Sequence, residues 1–96
     1  MGTMSYFLVE IRMNEAGQLE LERATRRLEA AEIRLRRAAN ATRTVMAGVN
    51  RDDGQLVCLI EATSLETVRR LVTLALLPAG RIREITPVPG SAGFAG

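Results

Sequence analysis

Between Tyr6 and Met13, apolar residues fill every odd position (Phe7, Val9, Ile11, Met13), while the even side mixes Tyr6 and Leu8 with Glu10 and Arg12. This period of two predicts a strand with one face covered and the other half apolar. Asn14-Glu15-Ala16-Gly17 is the expected break. From about Gln18 to Asn40 the period changes: Leu21, Ala24, Leu28, Ala31, Leu35 and Ala38 recur at spacings of three and four, a narrow helical stripe. Its small alanines let a helix lie close to a sheet. Glu22–Arg26 and Glu32–Arg36 are i,i+4 pairs in the favourable order, and acid early with arginine late suits the helix dipole.

A second strand is expected over Thr42 to Asn50, with Val45, Ala47 and Val49 alternating against Thr44, Met46 and Gly48. Arg51-Asp52-Asp53-Gly54 reads as a tight turn, because Asp-Gly tolerates positive φ. Leu56 to Glu61 is apolar on both faces, which places this third strand centrally. Thr63 with Glu66 fits a capping box, and Ser64 is the rival cap. The helix that follows offers Leu65, Val68, Leu71, Val72, Ala75 and Leu76 to the core and stops before Pro78 and Gly80. Arg81 to Thr86 is the last strand, ended by Pro87 and Pro89. Gly90 to Gly96 reads as a flexible tail in which Phe94 is the one large side chain.

Strand-helix-strand, hairpin, helix-strand is the β-α-β-β-α-β order of the ferredoxin-like split βαβ fold. The chain is therefore expected to form one α+β domain over residues 5–89, a four-stranded antiparallel sheet with two helices on one face, followed by the tail 90–96. Strands one and three carry aliphatics on both faces, so the uncovered face is expected to hold an apolar patch. Such a patch marks an interface or a pocket, and a homodimer through the sheet face or edge is expected there.

The stretch Cys58-Leu59-Ile60-Glu61-Ala62, the capped helix after it, and Leu77-Pro78-Ala79-Gly80-Arg81-Ile82 together resemble a family of small actinobacterial ferredoxin-like proteins. The opening Tyr6-Phe7-Leu8-Val9-Glu10 is similar to that family's first strand. Much of the family is uncharacterised, and its best-known relatives are described as nickel-binding. The resemblance covers nearly the whole chain and implies a dimer and a metal site of histidines and acidic groups. Glu10 and Glu61 match its acidic positions. The chain departs from the pattern in having no histidine.

Composition narrows the choice. An apolar share of 47% in 96 residues fits one globular domain with a modest core. All 13 basic residues are arginine, which reads as the codon bias of a GC-rich genome, with selection for bidentate anion contacts as the alternative. A net charge of +2 is too small to indicate a polyanion partner. Arg34, Arg36, Arg37 and Arg43 gather near the end of the first helix, but recognition of RNA on such a sheet needs stacked aromatics, which strand three lacks. No nucleic-acid partner is expected. One cysteine rules out an internal disulfide and a cysteine metal cluster, and Cys58, on the side of Leu56 and Ile60, reads as a buried small hydrophobe. The chain shows no signal-peptide pattern, membrane span or phosphate-binding glycine loop, so the expected location is the cytoplasm. No cofactor is legible.

The topology suggests where chemistry would sit. Strand three runs antiparallel to strand one, which brings Glu61 near Tyr6, and strand four flanks strand one on its other side, which would bring Glu84 near Glu10. With all four facing one way, Tyr6, Glu10, Glu61 and Glu84 would form a polar rim around Leu8, Val57 and Leu59. The bland alternative is that Glu61 pairs with Arg12, Arg43 or Arg83 across a dimer interface and Tyr6 supplies contact area. Two functions follow. The first is a non-catalytic dimeric binding or accessory protein holding a small ligand or a metal ion in a sheet-face pocket. The second is a cofactor-independent cyclase, isomerase or monooxygenase using Tyr/Glu acid-base chemistry.

Overall fold

The structure, a computed structural model, describes residues 4–13, 18–50 and 52–86. Six elements follow in the expected order: β1 (Ser5–Ile11), α1 (Gln18–Arg37), β2 (Arg43–Asn50), β3 (Gln55–Ala62), α2 (Leu65–Leu74) and β4 (Ala79–Ile85). The strands form one antiparallel sheet in the order β2-β3-β1-β4. The expected α+β architecture is the one found. The break at 14–17, the prolines 87 and 89 and the tail 90–96 lie outside the described residues.

The core lies between the helices and one face of the sheet. Phe7, Val9 and Ile11 of β1 and Leu56, Cys58, Ile60 and Ala62 of β3 are buried there, every second residue of each strand. Ala24, Leu28, Ala31 and Leu35 of α1 and Val68, Leu71, Val72 and the adjoining Ala75 of α2 close over them. Alternating leucine and alanine on α1 form its buried stripe. Its stripe is shorter than expected, since the helix stops at Arg37 and Ala38 is exposed.

Ser64, not Thr63, caps α2: its backbone is extended and its hydroxyl accepts the Thr67 N–H at 3.2 Å. Leu65 and Leu76, expected on the buried side, are exposed at 37% and 78%. Leu65 opens the helix directly after its cap, and Leu76 lies beyond the helix end. Both helices end in the same two-bond closure. In α1 the Ala39 N–H donates to the Arg36 carbonyl and the Asn40 N–H to that of Leu35. In α2 the Leu76 N–H donates to Thr73 and the Leu77 N–H to Val72. This closure places the residue after the cap in the left-handed region that favours glycine, yet Ala39 (φ 63) and Leu76 (φ 57) stand there.

The β2–β3 hairpin turns as the Asp-Gly signal predicts. Gly54 has φ 67 and donates to the Asn50 carbonyl at 2.7 Å, while Asn50 Oδ1 accepts the Asp52 N–H at 3.0 Å. Arg51 lies outside the described residues.

Two irregularities decide what faces where. Between Thr44 and Met46 the β2 register against β3 shifts, so Val45 is an extra residue. Thr44 then lies opposite Ile60 on the helix side, while Met46 lies opposite Leu59 on the uncovered side. On the helix side, Glu32 of α1 holds this bulge by accepting both the Thr44 N–H (2.7 Å) and its hydroxyl (2.6 Å). The second shift lies opposite Glu10, where β4 carries an extra residue between Ala79 and Ile82. Bulges of this kind bend a strand and re-aim its side chains.

Candidate functional site

The uncovered face of the sheet is organised in cross-strand rows, because directly opposed residues in antiparallel strands point the same way. The first row runs Arg43, Glu61, Tyr6, Ile85, and the second runs Met46, Leu59, Leu8, Arg83. In the third, Gly48, Val57 and Glu10 stand side by side, with the β4 bulge at its end.

Polar groups in the first row are joined. Arg43 Nε lies 3.4 Å from Glu61 Oε1, and the Tyr6 hydroxyl donates a hydrogen bond to the Glu61 carboxylate. That bond raises the Tyr6 phenol above its ordinary pKa; the negative charge of Glu61 adds to the effect and Arg43 opposes it. The phenol therefore keeps its proton, directed at Glu61, more tightly than a free tyrosine does. The second polar group is the pair Glu10–Arg83, with Oε2 and Nη2 3.9 Å apart. The Glu10 side chain is only 23% exposed in a largely apolar strand, and the guanidinium offsets the cost of placing a charge there.

Between these groups the surface is apolar. Leu8, Met46, Val57, Leu59 and Ile85, with the β2 residues from Ala47 to Asn50, line a depression of about 370 Å³. This is the low end of the roughly 300–1,000 Å³ of small-molecule sites. Leu59 is almost covered by its neighbours, whereas Met46 is 55% exposed at the outer margin.

Three of the four expected rim residues, Tyr6, Glu10 and Glu61, share this face, with Tyr6 and Glu61 directly opposed. Glu84 does not. It lies opposite Phe7 on the helix side, exposed at the edge of the sheet. The reason is the period of two in β4: Ile82 packs toward the core opposite Val9, so Glu84 two residues on must point the same way. The residue that reaches Glu10 is Arg83. Arg43 and Met46 also join the site, Arg43 through its pair with Glu61 and Met46 through the bulge at Val45. The alternation Ile82/Glu84 against Arg83/Ile85 was a usable sequence signal; nothing in the sequence announces the bulge.

The acidic groups do not fit the metal site that the resemblance implies. Glu61 is level with Tyr6, and Glu10 is four residues further along β1, so the carboxylates stand roughly 13 Å apart along the strands. Each already faces an arginine. Among the described residues no three His, Cys, Asp or Glu side chains come together. Cys58 faces the helices, fully buried, and burial followed by the charge of Glu32 pushes its thiol up to about 11. That makes it an inert core residue. Among the described residues no helix is long and apolar enough to cross a membrane.

Neither the known family models nor the curated proteins include a match to this sequence. Among solved structures, the chain is similar to the crystal structure of SCO4226 from Streptomyces coelicolor A3(2), with a TM-score of 0.69 and 25% sequence identity. The match covers 92% of this chain and 100% of that one, so the likeness extends over the whole fold.

Proposed function

We propose that the chain is a small non-catalytic binding or accessory protein, dimeric in use, that holds a small and mostly apolar ligand on the uncovered face of its sheet. The observation that carries this reading is the contrast within that face: an apolar depression of about 370 Å³ bordered by Tyr6–Glu61–Arg43 at one end and Glu10–Arg83 along one side. An apolar floor supplies affinity, and a few oriented polar groups set the ligand's direction. The neutralised carboxylates favour such a ligand over a metal ion.

A second reading rests on the Tyr6–Glu61 hydrogen bond. A substrate seated over Leu8 would meet the Tyr6 oxygen, which can take a proton from it as the phenolic proton passes to Glu61. On this reading the chain is a cofactor-independent enzyme, with Tyr6 relaying a proton and Glu61 receiving it.

Native mass spectrometry of the protein purified from its own host tests both. The expected result is a small molecule retained by the wild-type chain and lost in Val57→Asp, with an unchanged far-UV circular dichroism spectrum. Turnover of that molecule which collapses in Tyr6→Phe while binding persists selects the enzyme. A chain that retains nothing, and whose surface takes up no apolar dye that Val57→Asp then displaces, rejects the ligand site.

A further inference from the structure

The rows of the uncovered face differ in where their charges stand. Row one is polar in three of its four places, with Arg43, Glu61 and Tyr6 joined to one another. Row two, Met46, Leu59, Leu8 and Arg83, is apolar for three places and then meets one guanidinium. Crossing four neighbouring strands takes three steps, so this strip runs roughly 14 Å from the Met46 backbone to that of Arg83. Row three extends the apolar floor only at Gly48 and Val57, because Glu10 comes next. The floor is therefore broad beside β2 and narrow at β1, where Leu8 has Tyr6 on one side and Glu10 on the other.

The two arginines of this face are engaged to different degrees. Arg43 Nε approaches Glu61 to 3.4 Å, and the same carboxylate accepts the Tyr6 hydroxyl. Arg83 Nη2 stands 3.9 Å from Glu10 Oε2, beyond hydrogen-bond distance, and its side chain is 54% exposed. A guanidinium carries five N–H donors in a planar fork that matches a carboxylate. Among the described residues Glu10 is the one acid at hand, so donors of Arg83 remain for a second. At the broad end, Gly48 has nothing within 4 Å of where a Cβ would stand, which leaves room above it.

We propose that the ligand of this face is an amphiphilic acid: a linear acyl chain lying along row two, its carboxylate on Arg83 and its tail toward Met46 and Gly48. This rests on the reading of the depression as a small-molecule site and deepens it by naming the ligand's class. A floor one side chain wide between Tyr6 and Glu10 suits a linear chain rather than a fused ring. The charge of Arg83 complements a carboxylate head, and Leu8 and Leu59 beneath the chain supply the apolar contact. Glu10 is then a rival for the same guanidinium. Removing Arg83 weakens binding of the acid, and removing the charge of Glu10 strengthens it.

Displacement of the neutral fluorescent dye phenylnaphthylamine tests this, with decanoate and its uncharged counterpart decanol as competitors. The wild type is expected to bind the dye and release it to both. Arg83→Gln is expected to weaken decanoate about fivefold, the size of one half-exposed ion pair, and to leave decanol within about twofold. Glu10→Gln is expected to move decanoate the other way, tightening it about twofold. Arg70→Gln, which removes the same charge from an exposed position on α2, is expected to change neither. Gly48→Leu fills the broad end and is expected to weaken decanoate more than hexanoate; equal losses overturn the placement of the tail. Decanoate binding unmoved in Arg83→Gln, or weakened as much in Arg70→Gln, overturns the acid and leaves the apolar site standing. A chain that takes up neither dye nor decanoate overturns the binding reading itself.

Discussion

The same two central strands present two surfaces. On the helix side, β1 and β3 contribute Phe7, Val9, Ile11, Cys58 and Ile60, all withdrawn from solvent and none charged. On the uncovered side they contribute Tyr6, Leu8 and Glu10 opposite Glu61, Leu59 and Val57, where apolar residues alternate with charges that each have an arginine at hand. The first surface is explained by packing. The second is not, because paired surface charges add little stability and an exposed Met46 adds none. That difference is what the proposed binding role rests on.

That contrast can be broken by mutation. Ile60→Ala removes a fully buried side chain and is expected to cost about 3–4 kcal/mol in denaturant unfolding, against about 1 kcal/mol for Leu8→Ala on the other face. Equal costs would show that the uncovered face is core. Alkaline pH probes the helix side again. The Cys58 thiol, raised to about 11, stays protonated in the fold after it has ionised in the unfolded chain. Its contribution is therefore complete below about pH 9 and is lost as pH rises toward 11, by roughly 2–3 kcal/mol, visible in thermal melts. Cys58→Ala is expected to start less stable and to lack this slope.

A smaller effect belongs to Glu32. Glu32→Ala leaves the Thr44 N–H and hydroxyl without their acceptor, and a loss of about 1–2 kcal/mol is expected by denaturant titration. The smallest effects are on the uncovered face. Glu10→Gln is expected to change stability by less than about 0.5 kcal/mol, since its partner sits 3.9 Å away and half exposed. Glu61→Gln should move the phenol back toward its ordinary pKa. Tyr6 is the chain's single tyrosine and there is no tryptophan, so an absorbance titration reads that group alone. An unmoved titration curve would show that Tyr6 and Glu61 are not coupled in solution.

Much of this was legible in the residues. Periods of two and of three to four locate the six described elements, and antiparallel pairing of strands one and three is enough to place Glu61 beside Tyr6. What stayed hidden depended on a shift of one residue. The extra Val45 separates Thr44 from Met46, although simple alternation puts them on one face. Glu84 falls on the helix side because it shares the period of two with Ile82, which packs against the core opposite Val9. Ser64 displaced Thr63 as cap because both can accept the same kind of bond, and their local sequence does not rank them. Leu65 and Leu76 show that a helical stripe is a poor guide at its two ends: Leu65 opens the first turn, still exposed, and Leu76 lies beyond the last.

The strand order carries a consequence for how the chain is made. β1 emerges from the ribosome before the other described strands, yet it lies between β3 and β4, the last of them to appear. Among the described residues the β2–β3 hairpin is the one pairing between consecutive strands, so it is the natural early structure during synthesis. Until β4 is released, β1 offers an open apolar edge. Chains halted before residue 79 are accordingly expected to lack a cooperative melting transition and to bind chaperones that recognise exposed strands. Arresting translation at successive lengths would show stable structure arriving only once β4 has cleared the exit tunnel.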